Sequence, residues 1–235
     1  MNSKIRVIEM KFLTFLNSGC LDICKNMLIS AERVGMDVNN FYIACLDKNS
    51  YENLSSYSNA FMWIDVHFVN ETLSEYQNWT FESNSGFRNI VKYKWRIIEE
   101  IYRQHKELCW VDTDIVFKQN PIELIQGQDE ILFQSDRPGS TLCSGFMVFN
   151  SSSECEKMIS DCSSDTEEDD QILVNKIGLD KYYENIALLN EDLFPNGHVY
   201  YKEGKKENAV IVHNNWMIGV NTKIQHFKDE NLWYL

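Results

Sequence analysis

The chain has few of the residues and motifs that mark common nucleotide and zinc sites. Only three of its 235 residues are proline and ten are glycine. It contains no G-x-G-x-x-G segment, which argues against a dinucleotide-binding half, and no G-x-x-x-x-G-K-[S/T] segment, which excludes a P-loop. The signatures H-E-x-x-H, G-x-S-x-G and paired C-x-x-C are absent as well. Any phosphate-containing ligand must therefore bind without a glycine-rich loop.

Positive charge and long apolar runs are also scarce. The 22 Lys and Arg are outnumbered by 35 Asp and Glu, giving a formal net charge of −13. This balance argues against nucleic-acid binding, which needs clustered cationic side chains. A local pocket or a divalent cation can still accept a smaller anionic ligand. No apolar run approaches the roughly 18 residues of a membrane span, so we expect no transmembrane segment in this chain.

The N-terminal residues and the cysteines indicate the cellular compartment. Residues 1–12 lack the apolar core of a signal peptide, and the seven cysteines, an odd number, lie mostly in apolar segments as expected for reduced, buried thiols. We therefore expect a cytoplasmic protein. Asn, Lys and Ile are abundant, which is compatible with an AT-rich genome such as that of a large virus or a protist, so the expectation includes a viral protein in host cytoplasm.

Apolar periodicity predicts an α/β fold. Strands are predicted at 5–16, 41–47, 61–69, 108–117, 130–135, 143–149, 185–190, 198–201 and 209–213. Helices are predicted at about 20–34, 87–106, 151–162, 169–178 and from about 221. Strand and helix alternate in the first half, which is typical of a largely parallel sheet. Residues 70–86 are polar and rich in turn formers, and a loop is predicted there.

Two carboxylates interrupt the apolar segment LCWVDTDIVF (108–117). A buried, unpaired carboxylate is costly, so Asp112 and Asp114 must be neutralised, hydrogen-bonded or metal-bound. They lie at the carboxyl end of a predicted strand, where open α/β sheets bind ligands, and alternate strand residues share a face, with Thr113 turned away. Two carboxylate oxygens suit Mg²⁺ or Mn²⁺, with water and the phosphates of a bound substrate completing the coordination. The alternative is a structural pair that caps the strand or bonds basic residues of the preceding helix.

A histidine ends a second apolar segment, VIVHNNWMIG (210–219). His213 would supply the nitrogen ligand that two carboxylates and a diphosphate lack. Lys223, ten residues later, could then contact a phosphate oxygen as a point charge. The alternative for His213 is an ordinary structural hydrogen bond.

Segments in order along nearly the whole chain resemble the GT-A nucleotide-sugar glycosyltransferases and, more narrowly, glycosyltransferase family 77. They are FLTFLNSGCLDICKNML (12–28), YKWRIIEEIY (93–102), LCWVDTDIVFKQNP (108–121), SDRPGSTLCSGFMVFNS (135–151), DDQ (169–171), NEDLFPNGHVYY (190–201) and IVHNNWMIGVNTKIQHFKDENLW (211–233). D-x-D is shared by many transferases, whereas FPNGH and H-x-N-W are more particular. The family's usual membrane anchor is missing, and 70–86 matches no family segment. A luminal domain without its anchor is therefore the alternative to a cytoplasmic enzyme.

The resemblance implies a single GT-A domain with a Rossmann-like, mostly parallel central sheet flanked by helices. Residues 1–118 would be about the nucleotide half and 119–235 about the acceptor half. The implied activity is metal-dependent transfer of a sugar from a nucleotide diphospho-sugar, UDP-linked, to a glycan, glycoprotein or other hydroxyl acceptor. Mn²⁺ or Mg²⁺ would be held by Asp112, Asp114 and His213. The donor site would contain Thr14, Asn17, Gly19, Lys94, Asp112, Thr113, Ser144, Gly145, Trp216, Gly219 and Lys223, and the catalytic residues would be Asp136, Asp170 and Gln171.

Family members retain the anomeric configuration, which suggests that the departing phosphate deprotonates the acceptor on the same face. A double displacement would instead need a carboxylate nucleophile, Asp170 or Asp136. Two other functions stay open. A sugar nucleotidyltransferase would be expected to have an N-terminal Gly-rich basic loop, whereas LNSGCLD (16–22) has one glycine and no cation. A non-catalytic carbohydrate-binding module could stack sugars on Trp79, Trp216 or Trp233.

Overall fold

Apolar segments of alternating strand and helix spacing build the first half of the fold, as the periodicity predicts. The computed structural model describes residues 9–57, 59–63, 93–128, 130–137, 141–165 and 168–235. The strands there are β1 (Lys11–Leu16), β2 (Phe41–Cys45), β3 (Ala60–Met62), β4 (Leu108–Val111), β5 (Ile115–Phe117), β6 (Ile131–Arg137), β7 (Thr141–Phe149), β8 (Ile186–Leu188) and β9 (Ile211–His213). The α-helices are α1 (Leu21–Arg33), α2 (Lys48–Leu54), α3 (Lys94–His105), α4 (Ile122–Ile125), α5 (Ser153–Ser164), α6 (Asp170–Lys181), α7 (Gly197–Tyr201) and α8 (Val220–Asp229).

The main sheet has the strand order β3-β2-β1-β4-β7-β6-β8. Strand β1 is parallel to β2 and β4, β2 to β3, and β6 to β8, whereas β7 runs antiparallel to β4 and β6. This mostly parallel sheet confirms the predicted fold class. Strand order reverses between β1 and β4, so the carboxyl ends of these two strands open onto the crevice where α/β sheets bind ligands.

Different helices cover the two faces of the main sheet, because neighbouring strand residues point to opposite sides. Phe12 of β1 belongs to the same buried cluster as Met27 of α1. Leu13, the next residue, belongs to a second cluster that includes Trp95 of α3 and Met158 of α5. Burial on both faces explains why β1 and β4 are almost uninterrupted apolar runs.

Strands β5 and β9 form a separate antiparallel ribbon, in which Ile115 lies opposite His213. Val116 of the ribbon packs in a third apolar cluster with Phe227 of α8. The segment 112–114 connects the main sheet to this ribbon. The polar residues of the D-x-D segment therefore lie at the junction of the two sheets.

The prediction of a single strand over 108–117 is wrong. Strand β4 ends at Val111, and the amide of Ile115 donates to the carbonyl oxygen of Asp112 at 3.2 Å. Residues 112–114 thus form a turn between two strands of different sheets. Consequently the two carboxylates do not owe their common direction to strand alternation, as the sequence argument assumed.

The predicted strand at 198–201 is also wrong, because this segment is helix α7. The side chain of Asn196 accepts a hydrogen bond from the amide of Val199 at 3.0 Å and so caps the first turn. The aromatic and β-branched residues that suggested a strand are instead the buried face of a short helix, with Val199 and Tyr200 in the core.

The remaining predicted elements agree with the structure within a few residues, as far as it describes them. The loop at 70–86, residues 5–8 of the first predicted strand, residues 64–69 of the third and residues 87–92 of the predicted helix lie outside the described ranges. Within those ranges, no helix combines the length and apolar character that a bilayer crossing needs.

Candidate metal centre

The main sheet holds the first carboxylate of the turn. The amide of Asp112 donates to the carbonyl oxygen of Gly145 on β7 at 2.8 Å. Its Oδ1 accepts hydrogen bonds from the indole N–H of Trp110 at 2.7 Å and from Nζ of Lys94 at 3.2 Å. Trp110 lies two residues earlier, in β4, and Asp112 is the first residue after that strand. Both side-chain contacts fall on Oδ1, which leaves Oδ2 for a ligand.

The ribbon holds the second carboxylate. Asp114 is 5% exposed, and its Oδ2 accepts a hydrogen bond from Nζ of Lys223 at 2.6 Å. Its Oδ1 lies 3.5 Å from Nε2 of His213, and its carbonyl oxygen accepts from the amide of Asn214 at 3.0 Å. As with Asp112, one carboxylate oxygen is bound by a lysine and the other faces the centre of the site.

His213 completes a cluster in which one ligand atom each from Asp112, Asp114 and the imidazole lie within 4.8 Å of one another. Its ring is 1% exposed, yet among the described residues Nε2 has no hydrogen-bond partner. A buried polar atom without a partner is unusual and needs an explanation. A ligand between the imidazole and the carboxylates would supply the missing contact.

A glycine underlies this cluster. A Cβ atom added to Gly145 would lie 2.3 Å from Cε1 of His213 and 2.9 Å from Oδ2 of Asp112, too close for any side chain. The missing side chain lets the imidazole and the carboxylate approach the backbone of β7. The donor set of two carboxylate oxygens and one imidazole nitrogen, together with the unpartnered Nε2, fits a divalent cation.

Ion pairs keep these groups charged despite burial. Burial alone raises the pKa of Asp114, but Lys223 and His213 outweigh it and hold that pKa well below its ordinary range. Burial lowers the pKa of His213, but Asp114 outweighs it and raises the pKa to about 10. The pKa of Lys94 is likewise raised, against the effect of burial, by Asp112 and Asp170. Without an ion, the site is therefore a network of paired charges.

Lys94 is the most enclosed of these groups. Its ammonium contacts Oδ1 of Asp112, the carboxylate of Asp170 and the carbonyl oxygen of Ser144, the last at 3.1 Å. An ammonium has three N–H donors, and three acceptors already surround this one. The lysine thus links the D-x-D turn to the start of α6. Its expected contact with a diphosphate or donor sugar stays a prediction.

Gln171 and Asp170 also bind neighbouring protein groups. Oε1 of Gln171 accepts from the amide of Ser144 at 2.9 Å, and its Nε2 donates to the carbonyl oxygen of Leu142. Asp170, 6% exposed, pairs with Lys94. The start of α6 is therefore fastened to β7 beside Gly145. The predicted catalytic roles of both residues stay predictions.

A second set of polar and aromatic residues surrounds Asp136 near the end of β6. Its Oδ1 accepts from Nδ2 of Asn215 at 3.2 Å, and its carbonyl oxygen accepts from the indole N–H of Trp216 at 3.3 Å. Burial raises the pKa of the Asp136 carboxyl. Trp216 is 44% exposed, and its ring centroid lies 5.5 Å from that of His198. These residues form an accessible polar and aromatic edge next to the candidate metal centre.

The residues predicted to line a nucleotide pocket lie at the end of β1. Thr14 and Asn17 are buried, and Oγ1 of Thr14 and Nδ2 of Asn17 lack hydrogen-bond partners in the ranges that the structure describes. Oδ1 of Asn17 accepts from the amide of Gly19 at 3.0 Å. Thr113 lies in the D-x-D turn, and Gly219 (φ 85°) immediately precedes α8, the helix that carries Lys223.

Trp110 and Asn215 contact the site but are not among the residues predicted for it. Within the predicted strand, Trp110 and Asp112 are two residues apart, which is the spacing of residues on one face. Asn215 lies in the H-N-N-W segment that drew attention only to His213 and Trp216. No spacing in the sequence pairs Asn215 with Asp136.

Comparison with known proteins decides the family. The model of the nucleotide-diphospho-sugar transferase family matches residues 37–227, which include the whole Asp112, Asp114 and His213 cluster. The chain belongs to this family. Its Asp112, Asp114 and His213 cluster lies at the crevice where the strand order reverses between β1 and β4, which is where α/β sheets bind ligands.

Among curated proteins, the chain is similar to a UDP-galactose:fucoside alpha-3-galactosyltransferase from Dictyostelium discoideum. The two are 25% identical over an alignment that covers 100% of this chain and 45% of that protein. It is also 23% identical to a UDP-D-xylose:L-fucose alpha-1,3-D-xylosyltransferase from Arabidopsis thaliana, over 64% of this chain and 50% of that protein. The chain thus spans about half the length of these relatives.

Among solved structures, the fold is similar to that of the galactosyltransferase LgtC in complex with donor and acceptor sugar analogs. The TM-score is 0.58 at 12% identity, covering 95% of each chain. It is also similar to mouse xyloside xylosyltransferase 1, with a TM-score of 0.53 at 12% identity, covering 91% of this chain and 98% of that one. These likenesses confirm the expected GT-A architecture.

Proposed function

We propose that this chain is the catalytic domain of a metal-dependent glycosyltransferase that moves a sugar from a UDP-linked donor to a hydroxyl acceptor. The observation that carries the proposal is the cluster of half-buried Asp112 with buried Asp114 and His213 at the carboxyl end of β4. Its ligand atoms lie within 4.8 Å of one another, and within the described residues the imidazole Nε2 has no hydrogen-bond partner. Membership of the nucleotide-diphospho-sugar transferase family supports the same activity.

In this proposal Mn²⁺ or Mg²⁺ is held by Oδ2 of Asp112, Oδ1 of Asp114 and Nε2 of His213. When bound, the ion supplies electrostatic stabilisation of the leaving nucleoside diphosphate. Lys223 pairs with the carboxylate of Asp114, and its side chain is 22% exposed. An ion that neutralises Asp114 would free this ammonium to contact a diphosphate oxygen.

The nucleotide is proposed to bind at the end of β1. Thr14 and Asn17 each have a buried polar atom without a partner there, and a nucleotide can supply both. Neither atom has a protein group to bond in the described ranges. Hydrogen bonds to a bound base or ribose would therefore form without first breaking an existing contact.

The proposed donors are UDP-galactose and UDP-xylose, and the proposed acceptor is a glycan that ends in fucose. This choice follows the names of the two relatives, which differ in the donor sugar but share a fucose-containing acceptor. A pocket distinguishes sugars that differ by one hydroxymethyl group through shape and hydrogen bonding rather than through a motif. The edge formed by Asp136, Asn215 and Trp216 is the proposed acceptor side, because Trp216 offers an exposed ring for stacking.

The proposed stereochemistry is retention, in agreement with the alpha linkages in the relatives' names, because UDP-sugars are alpha-linked donors. Asp170 is bound to the Lys94 ammonium, which lowers its nucleophilicity. We therefore favour same-face transfer, in which the departing phosphate takes the acceptor proton. Recovery of a glycosylated Asp170 or Asp136 peptide from rapidly quenched enzyme would establish a double displacement instead.

The test compares wild type with Asp114→Asn and with Asp192→Asn, a matched change at an exposed ion pair with Lys205. Each is incubated with UDP-galactose or UDP-xylose and a fucoside, with Mn²⁺ or with EDTA. We expect product only from wild type and Asp192→Asn, and only with metal. Undiminished turnover by Asp114→Asn would contradict the proposal. Formation of a nucleotide sugar from a nucleoside triphosphate and a sugar phosphate would instead indicate a nucleotidyltransferase.

A further inference from the structure

A glutamine in the middle of β6 makes an unusual set of buried contacts. Gln134 has no exposed surface, and its Nε2 donates to the carbonyl oxygens of Phe194 at 3.2 Å and Pro195 at 2.9 Å. Both hydrogens of the amide are thereby used. Reversing the amide would place its oxygen against two carbonyl oxygens, so these contacts fix which end of the group is the acceptor.

The acceptor end of this amide points at the metal-ligand histidine. Oε1 of Gln134 lies 2.6 Å from Nδ1 of His213. Because Oε1 can only accept, Nδ1 must carry a hydrogen and donate it. A neutral imidazole protonated on Nδ1 has its lone pair on Nε2, the nitrogen that faces Asp114 and, in the part of the chain that the structure describes, accepts no hydrogen bond.

The two carbonyl groups that orient Gln134 are themselves held in place. They belong to the turn that leads into α7, and Asn196 fastens this turn to β6. Its Nδ2 donates to the carbonyl oxygens of Ser135 at 2.9 Å and Asp136 at 3.1 Å. Fixed carbonyls orient the glutamine, and the glutamine orients the imidazole.

We propose that Gln134 is a positioning residue for the cation site, which fixes the tautomer and ring orientation of His213 so that Nε2 serves as the ligand. The proposal rests on the proposed function for the presence of the ion. It assigns to the F-P-N-G turn the task of holding Gln134. Outer partners of metal-bound histidines commonly change metal affinity by about 10–100-fold when mutated.

The test measures the affinity of Mn²⁺ by isothermal titration in Gln134→Met and Gln134→Asn. Methionine keeps the length and removes the acceptor. Asparagine keeps the amide but is too short to reach the turn and His213 together, and its polarity protects the fold if the methionine variant is insoluble. Gln104→Met, on the surface of α3, is the matched control. We expect Mn²⁺ to bind about 10–100-fold more weakly to both Gln134 variants and unchanged to the control.

Two further measurements separate positioning from general damage. In a His213→Ala background, Gln134→Met should weaken Mn²⁺ binding by less than about twofold, because no imidazole remains to be positioned. Ca²⁺, which prefers oxygen ligands, should lose less affinity than Mn²⁺ in Gln134→Met. A parallel loss of both ions, or an equal loss with and without His213, would overturn the positioning role.

The failures of the two proposals are distinguishable. If wild type binds Mn²⁺ and transfers sugar while both Gln134 variants bind Mn²⁺ equally well, the positioning role is overturned and the proposed function stands. If wild type binds no Mn²⁺, the metal-dependent function is overturned together with the positioning role.

Discussion

The two carboxylates of the D-x-D turn are held by different parts of the molecule. Asp112 is fixed by the main sheet, through the backbone of Gly145 and the side chains of Trp110 and Lys94. Asp114 is fixed by the ribbon and α8, through His213 and Lys223. The candidate cation site therefore lies where the main sheet meets the ribbon. Its geometry depends on how the ribbon sits against the end of β4.

The two lysines show what this difference means for function. The Lys94 side chain is 3% exposed and is surrounded by three acceptors, whereas that of Lys223 is 22% exposed and pairs with Asp114. The main-sheet lysine is thus a fixed counter-charge. The ribbon lysine can exchange its carboxylate for a phosphate without leaving a buried ammonium unpaired.

The largest expected effect tests this contrast. Lys94→Met would leave Asp112 and Asp170 without their cation, and removing one partner of a buried ion pair costs about 3–5 kcal/mol in the free energy of unfolding. Lys223→Met should cost clearly less, because His213 remains beside Asp114 and the position is partly exposed. Urea unfolding in EDTA measures both. Adding Asp170→Asn to Lys94→Met should restore part of the loss, and equal losses for the two lysine variants would contradict the contrast.

The free energy of unfolding, measured with and without Mn²⁺, distinguishes the roles of Asp112 and Asp114. Mn²⁺ at about 100 times its dissociation constant should raise the free energy of unfolding of wild type by about 2.7 kcal/mol. Asp112→Asn and Asp114→Asn should each abolish this gain. In EDTA, however, Asp114→Asn should be the less stable of the two, because it leaves both His213 and Lys223 without their carboxylate. A metal-dependent gain retained in Asp114→Asn would argue against its role as a ligand.

The third expected effect concerns the glycine beneath the cluster. Gly145→Ala would place Cβ 2.3 Å from Cε1 of His213, and such overpacking costs about 1–3 kcal/mol. Mn²⁺ binding should be lost with it, since the imidazole must move. Gly178→Ala in α6 is the control. Its Cβ would meet movable methyl groups of Leu142 and Met158, so stability should change little and Mn²⁺ binding not at all.

The parts of the fold that apolar periodicity controls agree with the prediction. Strands β1, β2 and β7 and helices α1, α5 and α8 lie within a few residues of their predicted positions. The prediction fails where one polar contact overrides propensity. Asn196 caps a helix over residues predicted as a strand, and the turn at 112–114 divides one predicted strand into two.

The cluster itself was predicted from residue types and order along the chain. Asp112, Asp114 and His213 were selected because their chemistry suits a divalent ion, and the structure brings them together. The partners that orient them could not be predicted in the same way. Gln134 is 79 residues from His213 in sequence, and only the pairing of β6 with β7 and of β9 with β5 brings the two side chains into contact.

Taken per pH unit, the smallest expected effect is the pH dependence of metal affinity, which tests whether His213 and Asp114 form an ion pair before metal binds. Because Asp114 raises the pKa of His213 to about 10, the imidazole is protonated at neutral pH in the metal-free protein. A metal ligand must be deprotonated at Nε2, so binding releases a proton. Between pH 6 and 8, both below this pKa, Mn²⁺ affinity should therefore rise with pH, by up to about tenfold per unit for one displaced proton, or about 1.4 kcal/mol.

Isothermal titration in two buffers of different ionisation enthalpy measures the released proton directly. His213→Ala is the control, and its Mn²⁺ affinity, although weaker, should lose most of this slope over the same range. An affinity of wild type that stays constant from pH 6 to 8 would show that the imidazole is already neutral. In that case Asp114 would depend on Lys223 alone for its charge compensation, and the two halves of the site would be more alike than their contacts indicate.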